Sequence, residues 1–145
     1  MSTEQDVAAF RQLIERGFNQ GDLSVVDEIV SPDCLEHQRG LKPGIEGVKD
    51  TILTLRRWFS DFHLVIEDIA VDGGKIWARN LGRGVNTGSV MGHPPTGKAI
   101  TVDVFDVCRF ENGKMVEHWG VPDQLGLLLQ LGVLPKPGVA ASASR

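Results

Sequence analysis

Apolar residues in the first 60 positions recur at helical spacing. They form stripes that predict three amphipathic helices, over residues 1–19, 22–30 and 46–59. Thr3 and Asp22 are suitable N-cap residues for the first two helices. Gly21 and the pair Ser31-Pro32 are typical of the ends of these helices.

The rest of the chain alternates between apolar and polar residues, as strands do. Strands are predicted at residues 63–71, 75–86, 99–110 and 115–121, with a short extended segment at 34–38. Gly73-Gly74 and Asn112-Gly113 predict tight hairpin turns within the two strand pairs. A last short helix follows Asp123 and ends at Gly132.

This order of elements predicts an α+β fold. Three N-terminal helices pack in a strongly curved antiparallel sheet to form a cone-like barrel, and a short C-terminal helix completes it. The space between the sheet and the helices is where a ligand would bind. A chain of 145 residues is expected to form one domain, here over residues 1–135, with a flexible tail over residues 136–145.

Composition narrows the choice of partners. The net charge is −4, and basic residues are interleaved with acidic ones, so we expect no nucleic-acid partner and no anionic membrane surface. No apolar run reaches the roughly 18 residues of a membrane span, and the N-terminus is polar and acidic, so we expect a cytoplasmic protein. The two cysteines are expected to be buried thiols, and the four histidines lack zinc-site spacing, so we expect no metal.

The hairpin around Asn112-Gly113 places two ionisable residues near each other. Counting back from the turn puts Asp106 across from about His118, and both can face the same cavity. A carboxylate beside a histidine raises its pKa and selects one tautomer, which suits proton transfer near neutral pH. The alternative is a cross-strand contact that only stabilises the sheet, by about 0.2–1 kcal/mol.

Other candidate residues also have two interpretations. His37, in the early extended segment, is either a second polar contact for a ligand or a structural residue. Asp123 either takes part in catalysis or caps the last helix. The three tryptophans either form walls for a flat apolar substrate or serve core packing and dimerisation; they are Trp58, Trp77 and Trp119.

Several motifs resemble those of the SnoaL-like polyketide and ester cyclases, within the nuclear-transport-factor-2-like superfamily. The matching segments are Phe18–Asp22, Gly47, Gly88–Lys98, Asp106–Phe110, Glu117–Trp119 and Asp123–Gly126. The resemblance implies a cone-shaped fold and ring closure by an intramolecular aldol step without a cofactor. It also implies pocket positions for His118, Asp106 and His37. It departs at Gly120, where similar motifs often carry Asp.

Two related chemistries are disfavoured by the residues themselves. The chain has no tyrosine, so it lacks the tyrosine donor that steroid isomerases of this fold use in their oxyanion hole. An Asp-Arg-Asp array of the epoxide hydrolase type would need Asp106, Arg109 and Asp123, but strand alternation puts Asp106 and Arg109 on opposite faces.

The leading hypothesis is therefore a cofactor-free enzyme that transfers protons on an apolar, carbonyl-bearing small molecule. His118 would be the base or the substrate-polarising group, and Asp106 would orient it. The alternatives are a non-catalytic ligand-binding or dimerisation module, or an epoxide hydrolase-type enzyme. A homodimer is expected, because an open antiparallel sheet exposes a broad outer face.

Overall fold

A computed structural model describes residues 3–135 of the chain. Three of its α-helices precede the long run of strands, and one follows it. The predicted flexible tail at 136–145 lies outside this range. The helices within it are α1 (Thr3–Gln12), α2 (Ser24–Ile29), α3 (Gly44–Trp58) and α4 (Gln124–Leu131). The last turns of the predicted first helix, Leu13–Asn19, are π-helical and end before Gly21, whose φ is +74°.

In the described part of the chain, five strands form one curved, unclosed sheet in the order β1-β5-β4-β3-β2. The strands are β1 (Val30–Glu36), β2 (Phe59–Asp72), β3 (Lys75–Asn86), β4 (Ala99–Glu111) and β5 (Lys114–Pro122). The last four pair antiparallel, as predicted. The early extended segment instead joins β5 in parallel, because α3 and the meander carry the chain back to the same end of the sheet.

Both hairpin turns have the predicted geometry. Gly73 and Gly74 have φ values of +60° and +75°, and Asn112 and Gly113 have +50° and +77°. Positive φ at both central residues is the mark of a type I′ turn, which matches the twist of the flanking strands. The second turn sets the pairing of Phe110 with Met115.

A β-bulge at Val116 decides which residues of β5 face the helices. Phe110 pairs with Met115 but Arg109 pairs with Glu117, so Val116 has no opposite residue. Met115 lines the cavity, and simple alternation would then turn His118 to the outer face. The extra residue restores His118 to the inner face.

The bulge also shifts the register predicted for the hairpin. Asp106 pairs with Gly120, and His118 pairs with Cys108. Asp106 and His118 therefore meet diagonally and not directly across the hairpin.

The core lies between the helices and the inner face of the sheet. Its most deeply buried side chains include Val25, Val26, Ile52 and Ile76. Cys34 and Cys108 are free, buried thiols, as predicted, and burial raises the pKa of Cys34 to about 11. Over residues 3–135, no helix has the length and apolar character needed to traverse a bilayer.

Candidate functional site

A cavity of about 750 Å³ lies between the helices and the inner face of the sheet. Its size falls within the range of small-molecule sites, roughly 300–1,000 Å³. Most of its wall is apolar. The wall comes from α1 and the π-helical turns that follow it, from α3, from β4 and from the start of α4. A polar group of side chains lies at one place in this wall, formed by Glu36, Gln38, Asp106 and His118.

His118 is held between two carboxylates at this place. Its Nε2 lies 2.8 Å from Asp106 Oδ1, and its Nδ1 lies 2.6 Å from Glu36 Oε2. Glu36, Asp106 and His118 have side chains only 6%, 13% and 14% exposed. Because a carboxylate oxygen accepts at each ring nitrogen, both nitrogens donate, and the ring is an imidazolium.

The electrostatics of the site agree with this protonation state. Burial is the largest single influence on the pKa of His118, and it favours the neutral ring. The hydrogen bonds and charges of Asp106 and Glu36 together outweigh it and raise the pKa to about 9. His118 is therefore a cation at neutral pH.

Asn80 holds the second oxygen of Asp106. This residue of β3 is fully buried, and its Nδ2 donates to Asp106 Oδ2 at 2.7 Å. Within the described part of the chain, Asn80 Oδ1 has no hydrogen-bond partner. Asp106 thus receives one donor on each oxygen and retains further lone pairs for a ligand.

His37 lies outside the cavity, on the outer face of the sheet. Its ring stacks on Trp119 with centroids 4.7 Å apart, and its Nε2 lies 2.7 Å from Glu117 Oε2. Glu117 also accepts from Arg109 Nε at 2.9 Å. The hydrogen bonds from Arg109 and His37 lower the pKa of the Glu117 carboxyl. Since Glu36 pairs with His118 in parallel register, alternation along β1 turns Glu36 inward and His37 outward.

Asp123 caps α4 and does not line the cavity. Its Oδ1 accepts from the Gly126 N–H at 2.9 Å, and its carbonyl accepts from the Leu127 N–H. The capping alternative is the one found in the structure.

The tryptophans divide between the two faces. Trp58 lines the cavity, as the substrate-wall hypothesis requires. Trp77 and Trp119 lie on the outer face, where Trp77 is 49% exposed. The cavity therefore has one tryptophan wall and not three.

Arg109, the arginine that an epoxide hydrolase-type array would need, points away from Asp106. Arg109 pairs with Glu111 and Glu117, and Arg79 pairs with Asp68, all on the outer face. Strand alternation predicted this separation of Asp106 from Arg109. Among residues 3–135, no group of three His, Cys, Asp or Glu side chains has the arrangement of a metal site.

Glu36, Asn80 and Gln38 are site residues that the sequence analysis missed. Glu36 is the sequence neighbour of His37, and which of the two side chains faces the cavity depends on how β1 pairs with β5. Asn80 lies in a strand whose polar and apolar residues do not alternate strictly. Its inward orientation follows only from the burial of alternate residues along β3.

Known proteins share both the sequence pattern and the fold of this chain. Residues 8–131 match the family model described as SnoaL-like polyketide cyclase. Aklanonic acid methyl ester cyclase DnrD from Streptomyces peucetius is 30% identical over 138 residues, which cover 91% of this chain and 92% of that protein. Nogalonic acid methyl ester cyclase from Streptomyces nogalater is 28% identical over 120 residues, which cover 79% and 89%.

A solved structure gives the same result for the fold. TsrD from Streptomyces laurentii superposes with a TM-score of 0.85 at 28% identity, and the match covers 92% of this chain and 99% of that one. The family match spans nearly all of the α+β domain described above. This chain belongs to the SnoaL-like polyketide cyclase family.

Proposed function

We propose that this protein is an enzyme that closes a ring in a small, largely apolar polyketide ester by an intramolecular aldol step. The observation that carries the proposal is the placement of Asp106 in an apolar cavity, with His118 Nε2 on one oxygen and Asn80 Nδ2 on the other. A carboxylate fixed in this way is oriented for proton transfer to or from a bound substrate.

Asp106 is the base in this proposal, and His118 is its partner. The sequence hypothesis had these roles reversed. An imidazolium that donates from both nitrogens has no lone pair with which to take a proton, whereas the carboxylate retains lone pairs. His118 and Asn80 are positioning residues that hold the carboxylate and balance its charge.

The proposed reaction is an isomerisation. Asp106 takes a proton from the carbon next to a substrate carbonyl, and that carbon forms a C–C bond with a second carbonyl carbon of the same molecule. The second carbonyl becomes an alkoxide, which takes the proton back from Asp106. Atoms balance without a co-reactant, so we propose that no cofactor takes part, and Trp58 provides a flat apolar wall for the substrate.

The test uses the methyl esters in the names of the relatives. We expect the purified protein, after dialysis against EDTA, to convert aklanonic acid methyl ester or nogalonic acid methyl ester into a product of unchanged mass and altered chromatographic retention. Loss of activity on dialysis would contradict the cofactor-free step. Binding of both esters without chemical change between pH 5 and 9 would instead favour a non-catalytic ligand-binding module.

We also propose that the outer face of the sheet pairs with a second copy of the chain. Phe105 and Val121 are cross-strand neighbours there and are 55% and 70% exposed. We expect dimers in sedimentation equilibrium, and a shift to monomers in the double variant Phe105→Glu/Val121→Glu. Leu125→Glu, at an exposed position on α4, is the matched control and should leave the dimer intact. A dimer that survives the double variant would rule out this face.

A further inference from the structure

Gln38 occupies the space beside Asp106 and His118 that a side chain at position 120 would fill. A Cβ atom on Gly120 would overlap Gln38 Oε1 and would lie 2.8 Å from His118 Cε1 and 3.0 Å from Asp106 Oδ1. Atoms of all three side chains thus lie within 3.0 Å of one point. Gly120 is also where the chain departs from the Asp of similar motifs.

The backbone of Gln38 is anchored by hydrogen bonds, whereas its side-chain amide has no hydrogen-bond partner among residues 3–135. The Gln38 N–H donates to Glu36 Oε2 at 3.0 Å, and its carbonyl accepts from the Leu41 N–H at 3.2 Å. The preceding N–H, of His37, donates to the carbonyl of His118 at 2.9 Å. The Gln38 side chain lines the cavity next to the proposed base, and Oε1 is the amide atom placed beside His118 Cε1 and Asp106 Oδ1. A half-turn of the amide about its last bond exchanges Oε1 for Nε2 at this place.

An amide in such a place is suited to bind an oxygen of a ligand. Gln38 is half-buried, and neither polar atom of its amide is sealed from solvent, so a ligand oxygen can take the place of water on this amide. Unlike a carboxylate, a neutral amide does not compete with Asp106 for the proton. It also adds no negative charge beside two carboxylates.

We propose that Gln38 Nε2 donates a hydrogen bond to the substrate carbonyl oxygen whose neighbouring carbon loses its proton to Asp106, and that Gly120 is required to make room for Gln38. This inference rests on the proposed function. When the C–H bond breaks, its electron pair moves onto that carbonyl oxygen, where the amide stabilises the resulting oxyanion. The substrate class is therefore an enolisable ketone or 1,3-dicarbonyl compound.

Replacement of Gln38 by Leu tests the proposal directly. We expect Gln38→Leu to lower kcat on the methyl ester by roughly 10²-fold, with a smaller change in KM, because the bond strengthens as the oxyanion forms. The matched control is Gln12→Leu, the same substitution at an exposed position of α1, which should leave kcat unchanged. Equal kcat values for Gln38→Leu and the wild-type protein would overturn the proposal.

The requirement for glycine at position 120 has its own test. We expect Gly120→Ala to displace the Gln38 amide and reduce kcat to a similar degree. Adding Gln38→Leu to Gly120→Ala should then cost little more, since both changes remove the same hydrogen bond. Fully multiplicative losses in the double variant would contradict the link between the two residues.

A binding measurement separates this proposal from the proposed function. The probe is 9-fluorenone, a flat ketone that cannot enolise or cyclise, with binding followed by isothermal titration calorimetry. We expect Gln38→Leu to weaken binding about three- to tenfold, the effect of one neutral hydrogen bond. If this holds but the wild-type protein turns over no ester, the ring-closing function fails and the Gln38 site stands. Equal binding by the variant, or no binding by the wild-type protein, would count against the Gln38 site.

Discussion

Asp106→Asn is expected to lower kcat/KM for ring closure by roughly 10²–10⁴-fold, the usual contribution of a positioned general base. The amide has nearly the same shape as the carboxylate, so the cavity wall is preserved, but it cannot take a proton. It also turns an NH2 group toward one of the two donors that now hold the carboxylate, His118 Nε2 or Asn80 Nδ2. The measurement is steady-state turnover of the methyl ester, with circular dichroism to verify folding.

Asp103→Asn is the matched control for this substitution. Asp103 lies on the same strand, β4, but its side chain is exposed on the outer face, 3.9 Å from Arg79. We expect it to retain wild-type kcat/KM. If Asp106→Asn remains as active as Asp103→Asn, the base lies elsewhere, and Glu36 is the next carboxylate to replace, since it bonds to the other side of His118.

The elements of the fold were predictable because each has a strong local signal. The glycines at 73–74 and the Asn112-Gly113 pair favour the turn conformation they adopt, and the strands beside them alternate clearly. The hairpin alone brings Asp106 and His118 to neighbouring positions along the two strands. It does not place them on the same face. Their shared face and their relation to Gly120 depend on a bulge at Val116, which arises from packing across the sheet and has no local signal.

The remaining site residues depend on contacts between distant parts of the chain. Glu36 reaches His118 only because β1 joins β5 in parallel, across 82 positions of sequence. The same pairing sends His37 to the outer face, where it stacks on Trp119. Asp123 had two plausible roles, and the local geometry of the α4 N-terminus favoured the cap. Pairing between strands far apart in sequence thus determines which residues form this site.

The imidazolium of His118 should also make the protein less stable as the pH becomes alkaline. Its pKa is raised from an ordinary value of 6.5 to about 9 in the folded protein, so the folded state binds the proton more tightly than the unfolded state. The resulting stabilisation is fully present below pH 6.5 and is lost as the pH rises through about 9. A shift of this size corresponds to roughly 3 kcal/mol of unfolding free energy.

His118→Gln tests this dependence, with His93→Gln as the matched control, because His93 lies exposed on the loop before β4. Urea unfolding at pH 6, 8 and 10 should show wild-type and His93→Gln stability falling together as the pH rises. His118→Gln should be least stable relative to them at pH 6, because Glu36 and Asp106 then lack their shared cation, and the gap should narrow toward pH 10. A gap that stays constant from pH 6 to 10 would mean that folding leaves the pKa of His118 near its ordinary value of 6.5, so that the ring is neutral in the folded protein at pH 8. In that case one ring nitrogen could take a proton, and the base assigned to Asp106 would pass back to His118.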